Sequence, residues 1–210
     1  GLKVGHSVRT VEDCIKLANN DMQAKTALLE SRLITGDEKL VQQLRKQFDT
    51  QCVQGHEDEY IGQRLEDQAR RRTRHGDSAA MQEPNVKNGC GGLRDFQNLL
   101  WMAYFKLGFR STAALQSHGQ VSARERKQLD EAHNYLLRVR NELHYSAGSA
   151  ADVLTAPVKA SVASGLGYTE RSPRLRVEHF MREYYTHARN IYLITRTLEQ
   201  RLALVRTPER

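Results

Sequence analysis

Apolar residues recur through this chain at spacings of three and four, the interval that lines one face of an α-helix. Thr10-Val11-Glu12-Asp13 reads as a capping box and predicts a helix from about Val11. Met22, Ala24, Ala27, Leu28 and Leu33 make the stripe of a second helix, which Gly36 is expected to end. Asp37 is the expected cap of a third, carrying Leu40, Val41, Leu44 and Phe48. Between residues 57 and 74, Tyr60, Ile61, Leu65 and Ala69 fall at helical spacing. Glu57, Asp58 and Glu59 stand at the start of that segment and Arg70, Arg71, Arg72 and Arg74 at its end, the polarity the helix dipole favours.

Periodicity stops between Gly76 and Gly92, where turn-forming residues crowd together, and resumes from Leu93 to about Leu107. A short piece near 112–117 follows. Ser122-Ala123-Arg124-Glu125 is a second capping box, opening a long helix through Leu129, Ala132, Leu136, Val139 and Leu143 that Gly148 should stop. Further helices are expected at about 151–164 and 174–204, the last presenting Val177, Phe180, Met181, Tyr184, Ala188, Ile191, Leu198 and Leu202 along one side. The opening Leu2 to Val8 alternates loosely at period two but has no local pairing partner, so any sheet it joins would be encoded upstream. The expected fold is mostly all-α, an irregular bundle of about seven to eight helices with at most one short N-terminal strand, and no repeats.

Composition narrows this picture. The 210 residues carry a formal net charge of +7, a surface field that favours anions such as nucleoside triphosphates, nucleic acid or an acidic protein. Cys14, Cys52 and Cys90 are odd in number and form no CxxC pair, which suits a reducing, cytoplasmic setting. No run approaches the roughly 18 apolar residues of a membrane span, and the N-terminus has no signal-peptide pattern, so no membrane role is expected.

Few residues invite chemistry. Magnesium-dependent phosphate transfer needs paired carboxylates, yet the chain has no Asp-x-Asp, and Glu57-Asp58-Glu59 reads as a dipole-favoured helix start. The stretch from Glu83 to Asp95 differs: its glycines and Pro84 lead into a helix at Gly92 or Leu93, where backbone N–H groups would face an anion, with Lys87 and Arg94 adding charge. The plainer alternative is a helix–loop–helix connection with glycine caps. His179, Glu183 and His187 share a helix face at metal-ligand spacing, though a surface polar stripe is the simpler account. Arg138, Asn141 and His144 resemble the R-x5-H arrangement of HEPN-type ribonucleases, which keeps a stand-alone interaction or RNA-processing module open as an alternative. The run Arg70 to His75 reads as a solvated helix end without interleaved aromatics, so nucleic acid is not expected as a partner, and Phe96 and Trp101 fit a buried face.

Glu83-Pro84-Asn85-Val86-Lys87-Asn88-Gly89-Cys90-Gly91-Gly92-Leu93-Arg94-Asp95, followed by Leu99-Leu100-Trp101, resembles the E-P-N-[VI]-K-x-G-P-G-G-L-R-D signature of the bacterial PII uridylyltransferase/uridylyl-removing enzyme family. The first ten residues and Ala27 to Leu33 resemble the end of that family's nucleotidyltransferase palm and the helices after it, and the similarity extends through Arg138 to His144 and Phe180 to Tyr185. Cys90 stands where relatives usually carry proline, which is expected to loosen the loop. The resemblance implies a helical domain that completes the nucleotide cleft of a palm with a Gly-Ser loop and Asp-x-Asp, using UTP and Mg2+ to modify a tyrosine of a PII-like signalling protein. It places 1–10 at the palm's end, 11–75 in a helical linker, 76–92 in the signature loop and 93–210 in the helical bundle. The palm's carboxylates and the distal HD module are not within this sequence, so the fragment is expected to be inactive alone, with magnesium held mainly by the palm. It implies no catalytic or metal residues here, and nucleotide contacts from Asn85, Lys87, Gly91, Gly92, Arg94 and Asp95, with His6 and Arg9 at the palm edge. In that arrangement Lys87 would touch phosphate and Asp95 would orient Arg94 or the loop itself.

Overall fold

The computed structural model describes residues 5–204. Among these the fold is all-α, with nine helices: α1 (Val11–Asn20), α2 (Met22–Leu29), α3 (Glu38–Phe48), α4 (Glu57–His75), α5 (Leu93–Leu107), α6 (Thr112–Ser117), α7 (Ala123–Ala147), α8 (Ala156–Gly165) and α9 (Pro173–Leu204). A π-helical turn, Asp49–Val53, continues α3. The count exceeds the expected seven to eight. One break falls at Asp21, whose extended backbone ends α1 while its side chain accepts from Ala24 N to cap α2. The two capping boxes form as expected, Thr10 with Asp13 and Ser122 with Glu125.

Three expectations are corrected. Residues 5–10 are exposed and form no strand, and the Leu2 to Val4 part of that expectation lies outside the described residues. Helix α2 ends at Leu29 rather than beyond Leu33, and Gly36 (φ 114°) sits in the following turn. Helix α8 begins five residues later than the sequence pattern predicts, at Ala156 instead of 151. Its expected first turn is extended instead, because Asp152 O accepts from Val86 N (2.7 Å) and Leu154 N donates to Pro84 O (3.0 Å).

Helix α9 is the spine, packing along α7 and against α5, α8 and α4. Helix α5 is apolar nearly all round because it lies between two cores. Phe96, Leu99, Met102 and Ala103 join the larger one, built with α7 and α9. Trp101, Tyr104 and Phe105 join the smaller, built with α1, α2, α3 and Tyr60 of α4. Tyr60 stacks on Phe105 with ring centroids 3.7 Å apart and shares a hydrogen bond with Thr26 (2.8 Å). Burying each large side chain here contributes roughly 1.5–3 kcal/mol, so the two cores together fix the axis of α5, and with it the loop that feeds it. No helix among the described residues is long and apolar enough to cross a membrane.

Candidate functional site: a locked loop with a cationic face

The loop entering α5 is held by hydrogen bonds from its own residues. Asn85 Oδ1 accepts from the amides of Lys87 (3.1 Å) and Asn88 (2.7 Å), and Asn85 O accepts from Gly89 N (2.9 Å). Gly92 N donates to Gly89 O, Leu93 N to Val86 O, Arg94 N to Lys87 O and Asp95 N to Gly92 O, all at 2.8–3.1 Å. Gly91 N donates to Asp95 Oδ2 at 2.9 Å. The backbone N–H groups expected to face an anion are therefore taken up inside the loop, and Gly91 and Gly92 do not form an open cradle.

The glycines have a packing cause. Gly91 has φ +71°, and a Cβ there would stand 2.1 Å from the Ala188 carbonyl oxygen of α9. A Cβ on Gly92 would come within 2.8–2.9 Å of three loop carbonyls, those of Val86, Gly89 and Lys87. The loop is pressed onto α9 closely enough that only glycine fits. From outside, Glu83 accepts from Ala156 N at the start of α8 (2.6 Å), Lys159 donates to Gln82 O (2.6 Å) and Tyr185 donates to Met81 O (3.0 Å). Cys90, expected to loosen the turn, is buried within this clamp, and burial pushes its thiol up to about 11. The hydrogen bonds on either side of it hold the turn without a proline.

Asp95 is the organiser. Its side chain is fully buried and ion-paired with Arg71 (3.1 Å) and Arg72 (3.6 Å), while also accepting from Gly91 N. It orients the loop, and Arg94 leaves in another direction, its guanidinium 5.2 Å from the Trp101 ring centre. Arg71 also donates to Asn88 O (3.3 Å), fastening α4 to the loop. Burial opposes the charge of Arg72, but the fields of Asp95, Cys90 and Glu199 hold its pKa above the ordinary value. The run from Arg70 to His75 is thus not merely a solvated helix end. Arg70 is exposed beside Glu66, whereas Arg71 and Arg72 turn inward.

A second buried carboxylate stands behind Asp95. Glu199 of α9 accepts from Gln68 (2.9 and 3.1 Å) and Asn98 (3.4 Å), and Asn98 in turn accepts from Arg64 (2.8 Å). Burial first, and then the charge of Asp95, push Glu199 up to about 7. Gln68 also reaches Asp95 (3.4 Å), so one polar network runs from α9 through α4 to the loop. Sequence reading missed Gln68, Asn98 and Glu199. Their only trace was a polar residue on the apolar side of an otherwise regular helix.

The charge that remains outward is cationic. Lys87 and Arg94 are half-buried beside the loop. Arg140 of α7 donates to Asp152 at 2.7 Å, with His144 at 3.4 Å from the same oxygen. Burial opposes the ionisation of Asp152, but Arg140, His144 and Lys87 together hold its pKa below the ordinary value. Burial first, then the neighbouring Arg71, lower the pKa of Arg94, with Arg140 adding to the same effect. Arg71 and Arg140, each already paired with an acid, lie within electrostatic reach of Arg94, and Lys87 and Arg140 lie within reach of Asp152. Beside Arg94, a cavity of about 460 Å3 opens between α5 and the turn after α2, lined in part by Gln97, Leu100, Trp101 and Tyr104. Arg94 flanks this cavity through Trp101 without lining it, and Lys87 is not among its lining residues.

The other sequence candidates disperse. His6 and Arg9 are exposed on the extended segment before α1, where Arg9 acts electrostatically on Asp13. Arg138 faces a small cavity with Tyr135, Tyr168 and Glu183, while His144 meets Asp152, so the R-x5-H pair does not converge. His179 pairs with Glu170 instead of the other two, while His187, stacked on Tyr135, comes within 3.8 Å of Glu183, which also accepts from Tyr168. Among the described residues no group of three or more His, Cys, Asp or Glu side chains is placed to hold a metal ion. Of the acids around the loop, Asp95 and Asp152 are tied to arginines.

These features define a class: an all-α domain that carries a cationic face around a rigid, glycine-packed loop. The particular family follows from comparison with known proteins. The family model for GlnD PII-uridylyltransferase matches residues 59–199, and the chain belongs to that family. It is 38% identical over 196 residues to the bifunctional uridylyltransferase/uridylyl-removing enzyme of Azospirillum brasilense, 38% to that of Rhodospirillum rubrum over the same length, and 38% over 195 residues to that of Cereibacter sphaeroides. Each alignment covers 93% of this chain but 21% of the relative, so the chain spans about a fifth of the length of these curated relatives. No solved structure matches it.

Proposed function

We propose that this chain is the helical wall of the nucleotide cleft in a PII uridylyltransferase, an enzyme that transfers a uridylyl group from UTP to a tyrosine of a PII-like protein. The observation that carries this reading is that Lys87 and Arg94 stand half-buried beside a loop fixed by its own hydrogen bonds, with Arg71 and Arg140, each already paired with an acid, close enough to act on Arg94 electrostatically. Arginine presents a planar fork of donors to phosphate oxygens, and a cation fixed before the ligand arrives loses little side-chain freedom on binding. Asn85, Gly91, Gly92 and Asp95 act by fixing the geometry, while Lys87 and Arg94 meet the nucleotide. His6 and Arg9 belong to the edge that meets the palm. Mg2+ is held by carboxylates outside these 210 residues, so the chain alone transfers nothing.

The test is uridylylation by the full-length parent protein with UTP, magnesium and a PII-type acceptor. Loss of a charge-assisted hydrogen bond costs about 1.5–3 kcal/mol, so Arg94→Gln and Lys87→Gln are each expected to raise the KM for UTP about ten- to hundredfold. A KM unchanged in both variants would remove the basis of the assignment.

A further inference from the structure

We infer that the cavity beside Trp101 receives the base of the nucleotide whose phosphates meet Arg94 and its cationic neighbours, an inference that rests on the reading above. At about 460 Å3 the cavity falls within the roughly 300–1,000 Å3 range of small-molecule sites. Leu29 and Leu100 supply apolar surface, and Trp101 and Tyr104 supply aromatic edges, a lining suited to a flat heterocycle. Arg110 lies over the Tyr104 ring at 4.1 Å and donates to its hydroxyl (2.7 Å), stiffening that wall.

Polar recognition has one candidate, Gln97. The Trp101 N–H is already given to Glu30 (2.8 Å), so the indole contributes shape and no donor. Gln97 lines the cavity with its amide, and among the described residues that side chain makes no hydrogen bond, leaving a donor and an acceptor for the edge of a base.

Position ties the cavity to the cationic face. Arg94, Gln97, Trp101 and Tyr104 follow one another at three- and four-residue spacing along α5, so Arg94 stands just under one turn, roughly 4.5 Å along the axis, before Gln97. Arg94 feels Glu30 from the cavity side and Arg71 and Arg140 from the loop side. A ligand that is flat at one end and anionic at the other is complementary to that strip. Free triphosphate satisfies one half and a free base the other.

Trp101 is the only tryptophan of the chain, so its indole N–H gives a single NMR signal that reports on the cavity. The 15N-labelled 210-residue chain would be titrated with UTP and with tripolyphosphate up to about ten millimolar, since half a cleft is expected to bind at the millimolar level. UTP is expected to shift both the indole signal and the amides of residues 85–95, and tripolyphosphate to shift the loop amides alone. Ser31→Phe, a change in the exposed turn that fills the cavity, should weaken UTP about tenfold and leave tripolyphosphate within about twofold. Gln97→Leu gives a second variant with the same expected ordering if Ser31→Phe disturbs the fold. If both ligands move the loop amides while the indole stays still with UTP, the base lies elsewhere and this inference fails, though the cationic site stands. If neither ligand moves the loop amides, the cleft reading itself fails and takes the base pocket with it.

Discussion

Replacing Asp95 by asparagine removes one negative charge from the point on which two arginines and a loop amide converge. The asparagine oxygen can still accept from Gly91 N, so the perturbation falls mainly on Arg71 and Arg72, whose side chains are 12% and 18% exposed. Stripping one partner from a fully buried ion pair costs about 3–5 kcal/mol because the remaining charge is left uncompensated. The arginines retain some solvent and Arg71 keeps Asp67 at 3.5 Å, which brings the expected loss to roughly 2–4 kcal/mol. A domain of this size loses about 2–4 °C of Tm per kcal/mol, so melting followed by circular dichroism should show a drop of roughly 4–16 °C. Glu131→Gln is the control: it breaks an exposed pair with Lys127 at 3.8 Å and should cost no more than about 0.5 kcal/mol. An Asp95→Asn protein that melts within about 2 °C of the control would refute the idea that this carboxylate fastens the loop.

Glu199 sets a pH dependence whose sign follows from its raised pKa. Its ordinary value is 4.5 and its folded value about 7, so between those limits the folded chain holds a proton the unfolded chain has lost. Stability from this group is therefore present at low pH and falls as pH rises through that window, by roughly 3 kcal/mol at most. Glu199→Gln lacks this loss, and urea titrations at pH 5 and pH 8 should show its stability declining less than that of the unaltered chain by about 1–3 kcal/mol; equal declines would count against the burial argument. Gly91→Ala combines a positive φ with a Cβ 2.1 Å from a backbone oxygen and should cost roughly 3 kcal/mol or more, whereas Gly55→Ala, at φ +82° with open space, should cost only about 1–2. Similar chemical denaturation midpoints for the two would contradict the close approach of loop and α9. Because Arg138 and His144 face different surroundings, RNA incubated with the chain should run intact on a gel, with or without His144→Ala; cleavage that disappears in the variant would overturn the ranking of functions.

The sequence by itself determined the elements of this protein. Helical spacing, two capping boxes and the left-handed Gly148 stop mark most helices to within a few residues, because those signals are local: a cap satisfies amides three residues away. It also marked the loop from Glu83 to Asp95 as unusual, and the family it belongs to. The role of each residue in that loop was another matter. Glycines that read as room for an anion are there because backbone crowds them, at Gly91 that of Ala188, 97 residues along the chain, and at Gly92 the carbonyls of the loop itself, and most of the loop amides are taken up by acceptors within the turn. Arg71 and Arg72 read as a solvated helix end until Asp95 is seen behind them, and Glu199 reads as one more charge on a long helix until Gln68 and Asn98 surround it. Burial and ionisation depend on which distant side chains arrive in the same few cubic ångströms. Only tertiary packing, here two cores that together hold α5 in place, decides that.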